Sequence, residues 1–181
     1  MRWHKLLVSM LIVAAGVSLQ AQSPTYGVGK APAAEEIRAW DIAVGPEGKE
    51  LPPGQGTAKE GATIYAERCA GCHGQTGIEG PFDRLVGGQG TLNTNRPVKT
   101  VGSYWPFATT IWDYINRAMP TDKPGSLTPD QVYALTAFLL YRNGIIQEND
   151  VMDAQSLPKV RMPNRNGFVA DPRPDWKNPT R

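Results

Sequence analysis

Histidine and cysteine are scarce in this chain: only two of each occur among 181 residues. So few cysteines exclude a disulfide-stapled scaffold, and a structural zinc site would need more ligands than the one cluster offers. Charge of one sign is missing too, since 19 Lys and Arg stand against 17 Asp and Glu. No field of that size argues for nucleic acid or a membrane surface as partner. The one local imbalance is a basic tail, where Lys159, Arg161, Arg165, Arg173, Lys177 and Arg181 face only Asp171 and Asp175. Apolar runs long enough to span a bilayer are absent after the first twenty or so residues.

Those first residues have a different character. Arg2 and Lys5 precede an apolar run from Leu6 to Leu19, and the small Ala21 follows. This order is that of a secretory signal peptide over residues 1–21, cleaved after Ala21, which predicts export to the periplasm and no membrane contact afterwards. Without Arg2 and Lys5 the formal charge falls from +2 to about zero.

Both cysteines of the chain lie in Cys69-Ala70-Gly71-Cys72-His73. That is the C-x-x-C-H signature of covalent haem attachment: two thiols add to the porphyrin vinyl groups and the adjacent His ligates iron from one face. Random shuffling of two Cys and two His into this chain would produce it about once in ten thousand arrangements. A thioredoxin-type redox pair shares the C-x-x-C spacing but belongs after a strand, and none is evident here. The motif predicts one haem c.

The rest of the chain reads around that motif. Residues 22–56 hold Pro46, Pro52 and Pro53, which predict an extended surface arm with an apolar patch over Trp40 to Val44. The cytochrome-sized segment is 57–144. Thr57 and Glu60 form a capping box opening a first helix, whose Gly61, Tyr65 and Cys69 share one stripe; Tyr65 is read as core packing. Glycines crowd the stretch from Gly74 to Gly102, predicting loop that can pass close to a flat cofactor. Within it, Pro81 is the expected carbonyl partner of the His73 ring N–H. A second helix is predicted from Phe107 to Ala118, ended by Met119-Pro120. The last opens at Thr128-Pro129-Asp130-Gln131 and closes at Asn143-Gly144. Residues 145–181, with Pro158, Pro163, Pro172, Pro174 and Pro179, read as an extension that lies along a partner or stays disordered.

Electron-transfer haems usually have both axial sites filled, so a second ligand is needed. With no second His outside the leader, the choice falls among Met119, Met152 and Met162. Met119 lies between two helices, where the chain can cross to the other haem face, and is the expected ligand. Met152 and Met162 are read as core filler or surface residues. Tyr104 and Trp105 stand as neighbours of the haem or its propionates, with ordinary core packing equally open.

Taken together, these residues resemble a class I cytochrome c. Further segments, among them Trp40-Asp41-Ile42, Leu51-Pro52-Pro53-Gly54, Val101-Gly102-Ser103-Tyr104-Trp105-Pro106, Ala118-Met119-Pro120 and Met162-Pro163-Asn164-Arg165, resemble the SoxD-type cytochrome subunit of sulfane dehydrogenase. The likeness runs from about Trp40 to Phe168. It implies an all-α class I fold, with about three main helices around one covalent haem. It also implies a molybdenum-containing catalytic subunit that oxidises sulfane sulfur elsewhere, and a soluble cytochrome c as acceptor. Only one C-x-x-C-H is present, matching the single-haem form. Cytochrome subunits of sulfite and other periplasmic dehydrogenases share the core motifs, and a free electron shuttle is a further alternative. A haem peroxidase would need a vacant iron site, which the Met119 reading disfavours.

Overall fold

The structure is a computed structural model describing residues 26–173. The proposed signal peptide lies outside the described residues, as do the last eight. The chain divides into two units, one through Ile37 and one from Arg38 onward. In the first, the start of helix α1 (Ala34–Trp40) carries Glu35 and Glu36 in its first turn, where carboxylates favour the positive helix end. The Ala33 amide donates to Glu36 Oε2 at 2.6 Å. No residue of α1 is buried.

The second unit is helical with one two-residue strand pair. Helix α2 (Ala58–Arg68) starts at the Thr57–Glu60 capping box: the Glu60 amide donates to Thr57 Oγ1 at 3.4 Å, and the Thr57 amide to Glu60 Oε2 at 2.8 Å. After Cys69 a single turn, α3 (Ala70–His73), carries the haem motif. Helix α4 (Ala108–Ala118) buries Ile111, Trp112 and Ile115 on one side. It stops at Met119, whose extended backbone (φ −120°, ψ 148°) is what a following proline imposes. Helix α5 (Pro129–Arg142) has the second capping box, Thr128 with Gln131, and Pro129 in the first turn. Gly144 ends it in the left-handed conformation (φ +68°) that costs glycine least.

Helices α2 and α5 cross at Gly61. A Cβ there would stand 2.0 Å from the Ala134 carbonyl oxygen and 2.8 Å from Phe138 Cβ, so only glycine permits this approach. One turn on, the Tyr65 and Phe138 rings pack at 4.8 Å. Helix α5 is apolar almost all round and is buried from Val132 to Leu140, so it forms the centre of the core.

Packing does not follow the expected boundaries at 57 and 144. Trp40 is 85% exposed, but Val44 and Leu51 of the arm are buried. The Val44 amide donates to Asp113 Oδ1 at 2.9 Å, and the Tyr133 hydroxyl donates to the Pro52 carbonyl at 2.9 Å. Strand β2 (Met152–Asp153) pairs antiparallel with β1 (Gln55–Gly56), with Gln55 opposite Asp153. Met152, Leu157 and Met162 are all within the core, Leu157 completely. The extension is therefore structural up to at least Met162, and its prolines stop helices without preventing burial. Among the described residues no helix is long and apolar enough to cross a membrane.

Candidate haem site

Helix α2 delivers Cys69 as its final cap, and α3 turns Cys72 and His73 onto the same cavity. That cavity has a volume of about 670 Å³, within the usual range for small-molecule and cofactor sites. Its walls are mainly apolar, with Leu85, Val101, Ile111, Ile115, Leu135 and Leu139 facing in, and Met119 also lines it. Two cysteines, a histidine and a thioether thus open onto one apolar cleft, from segments 46 residues apart. Burial pushes the Cys69 thiol up to about 11, with Cys72 adding to the effect. Among the described residues no other cluster of metal-ligating side chains occurs.

The donor set fits haem c: Cys69 and Cys72 would hold it covalently, and His73 and Met119, which line the same cavity, would be its iron ligands. The His73 ring N–H at Nδ1 donates to the Asp83 carbonyl at 2.8 Å. That bond fixes the tautomer and leaves the Nε2 lone pair for iron. The expected partner, the Pro81 carbonyl, is not the one used. The chain turns first, the Phe82 amide donating to the Cys72 carbonyl at 3.1 Å, and this brings the carbonyl two residues later to the imidazole. Trp105 lines the cavity and packs edge-on against Tyr114 at 5.6 Å. Tyr104 does not line it. Its ring lies beneath the Lys99 ammonium at 4.9 Å and against Phe168 at 5.2 Å. Its carbonyl accepts from Asn164 Nδ2 at 2.6 Å, tying the C-terminal return to this loop.

A chain similar to this one is known in three dimensions. The crystal structure of the sulfane dehydrogenase SoxCD from Paracoccus pantotrophus contains a chain 43% identical to it, with a TM-score of 0.74, covering 83% of this chain and 75% of that one. This protein belongs to the SoxD-type cytochromes c. Residues 56–139 also match the family described as cytochrome c oxidase, cbb3-type, subunit III, a cytochrome c domain. No curated protein matches. A SoxD-type cytochrome carries haem c and transfers electrons, which agrees with the cavity and its four donors.

Several supports of this site lie where sequence reading had no signal. Tyr65 is more than core packing: its hydroxyl donates to the Gly74 carbonyl at 3.0 Å and it lines the cavity. Burial raises that phenol to about 12, so it stays a donor throughout the working range. Asn143, which only marked a helix end in sequence, clasps the cavity-side loop at Leu85–Gly87. Its Nδ2 donates to the Leu85 carbonyl at 3.2 Å, and its Oδ1 accepts from the Gly87 amide at 3.0 Å. Gly102 lies directly against its side chain.

The turn after His73 is closed by Glu79, which accepts from the Thr76 hydroxyl, from the Thr76 amide at 3.0 Å and from the Ile78 amide at 3.2 Å. Chiefly through the Thr76 bonds, its carboxyl is lowered from 4.5 to about 2. A depressed carboxyl contributes stability that is present above the unfolded value and is lost as pH falls toward the folded one. Residues 74–80 should therefore hold their amide protection down to about pH 4.5 and lose it progressively toward pH 2. In Glu79→Gln that acid transition should be gone from these amides, with protection already reduced at neutral pH. Unchanged exchange in the variant would refute the role.

Proposed function

We propose that this protein is the mono-haem electron-transfer subunit of a periplasmic, molybdenum-dependent sulfane dehydrogenase. Its cleaved leader would export it, and it would pass electrons singly to a soluble cytochrome c. The observation that carries this is the extent of the likeness to the SoxCD chain. A match over 83% of the chain must take in residues beyond the 56–139 that match the cytochrome domain. In this chain the arm from Val44 and the return through Met162 are packed into the same core, which a simple shuttle would not need.

Bound haem supplies a one-electron carrier; the chain supplies everything that makes the carrier useful. Cys69 and Cys72 would hold it covalently, His73 and Met119 would supply its protein ligands, and the apolar walls would keep water away from it. Arg84 and Lys99 are cationic side chains of the cavity lining outside the Cys69–His73 segment, suited to the haem propionates. Exposed Cys72, Phe82 and Tyr114 leave one side of the cleft at the surface, where electrons can reach a partner. Sulfur chemistry would then belong to the molybdenum subunit.

Co-expression with that catalytic subunit tests the reading. A stable complex whose haem is reduced by sulfane sulfur on a carrier protein is expected. A cytochrome that elutes alone, and stays oxidised when the catalytic subunit turns over, would support the free-shuttle alternative. Truncation to probe the tail should end after Val169, because ending at Gly144 removes the buried Met152, Leu157 and Met162.

A further inference from the structure

The loop that presents Met119 also presents a donor to its sulfur. Thr121 lines the same cavity, and its hydroxyl donates to Met119 Sδ at 3.5 Å. Backbone contacts hold both residues. The Met119 amide donates to the Ile115 carbonyl at 3.1 Å, anchoring it to the end of α4, and the Lys123 amide donates to the Pro120 carbonyl at 2.9 Å, folding Thr121 back over the sulfur. A thioether has two lone pairs and is a weak acceptor. If one is taken by iron, a hydroxyl proton on the other has two effects: it fixes which lone pair faces the metal, and it withdraws electron density from the donor.

We propose that Thr121 is a positioning residue for the axial sulfur, and that its hydroxyl raises the reduction potential of the haem. The inference rests on the reading of Met119 as a ligand. The direction follows from charge. A sulfur that donates less stabilises ferric iron less than before and ferrous iron almost as well, so the reduced form gains. A single hydrogen bond to a weak, partly exposed acceptor gives a modest effect, about threefold in the ferrous-to-ferric ratio at fixed potential, or about 28 mV for a one-electron couple.

The test uses the full haem-loaded protein and three variants. Thr121→Val keeps the branched shape and removes the donor, while Thr121→Ser keeps the donor and removes the methyl. Midpoint potential, the ferric absorption at the red end of the visible spectrum, and the pattern of haem methyl shifts in the oxidised NMR spectrum are measured on each. Expected is a lowered potential and an altered methyl pattern in Thr121→Val, with both restored toward the natural protein in Thr121→Ser. Met119→Ala separates this inference from the one beneath it. If the natural protein lacks the red band, or Met119→Ala keeps it, ligation by Met119 is wrong and the Thr121 role falls with it. If the band behaves as expected but Thr121→Val retains the natural potential and methyl pattern, ligation stands and the Thr121 role is wrong. A serine variant that behaves like valine would also overturn it, since the hydroxyl would not be the cause.

Discussion

Truncating Met119 to alanine should abolish the ferric absorption at the red end of the visible spectrum, lower the midpoint potential, and let carbon monoxide bind the reduced protein. Each effect follows from losing a thioether that stabilises ferrous iron and fills the sixth position. The same truncation at the other two candidates should do something different. Met152 and Met162 are 5% and 3% exposed within the core and do not line the cavity. Met152→Ala and Met162→Ala should keep the band and each cost about 2–5 kcal/mol of stability, the range for emptying a buried long side chain. Spectra and denaturant titrations of the three variants separate the roles. A red band intact in Met119→Ala would reject the ligand assignment.

The second large effect is expected at the helix crossing. Adding one methyl at Gly61 puts carbon 2.0 Å from the Ala134 carbonyl oxygen, a backbone atom that cannot swing aside. Helices α2 and α5 would have to separate, breaking the contact between Tyr65 and Phe138 and shifting a wall of the cavity. Gly61→Ala should cost about 3 kcal/mol or more, at or above the upper part of the range for overpacking. In a domain of this size that lowers Tm by roughly 6–12 °C. Gly71, inside the haem motif, is the control. A Cβ there meets nothing within 4 Å, so Gly71→Ala should be neutral or slightly stabilising through helix propensity. Equal stability losses at the two positions would mean that the crossing is not what Gly61 provides.

Local signals were legible where they are covalent or one turn long. Both capping boxes, the stop at Met119-Pro120 and the Gly144 terminus can be read from neighbouring residues, because each depends on contacts within four positions. The cysteines and His73 are legible for the same reason: the cofactor's chemistry imposes their spacing. What could not be read was backbone acting at a distance. The Asp83 carbonyl that orients His73 belongs to every residue type equally, so nothing in the letter at position 83 announces it, and Pro81 was the nearer guess. The burial of Leu157 and Met162 was hidden by surrounding prolines and charges, which describe a segment without helix and say little about whether it is covered. Of the neighbours Tyr104 and Trp105 only Trp105 lines the cavity, and nothing in the two letters distinguishes them.

The pairing of Gln55 with Asp153 joins points about a hundred residues apart. Every described residue that lines the cavity lies between them, so the candidate haem ligands belong to a loop that this short ladder ties shut. Closing so long a loop carries an entropic cost that local helices do not share, which makes the ladder a late event in folding. A ladder that closes late would leave the thiols of Cys69 and Cys72 open to the covalent attachment of haem before the finished domain encloses them.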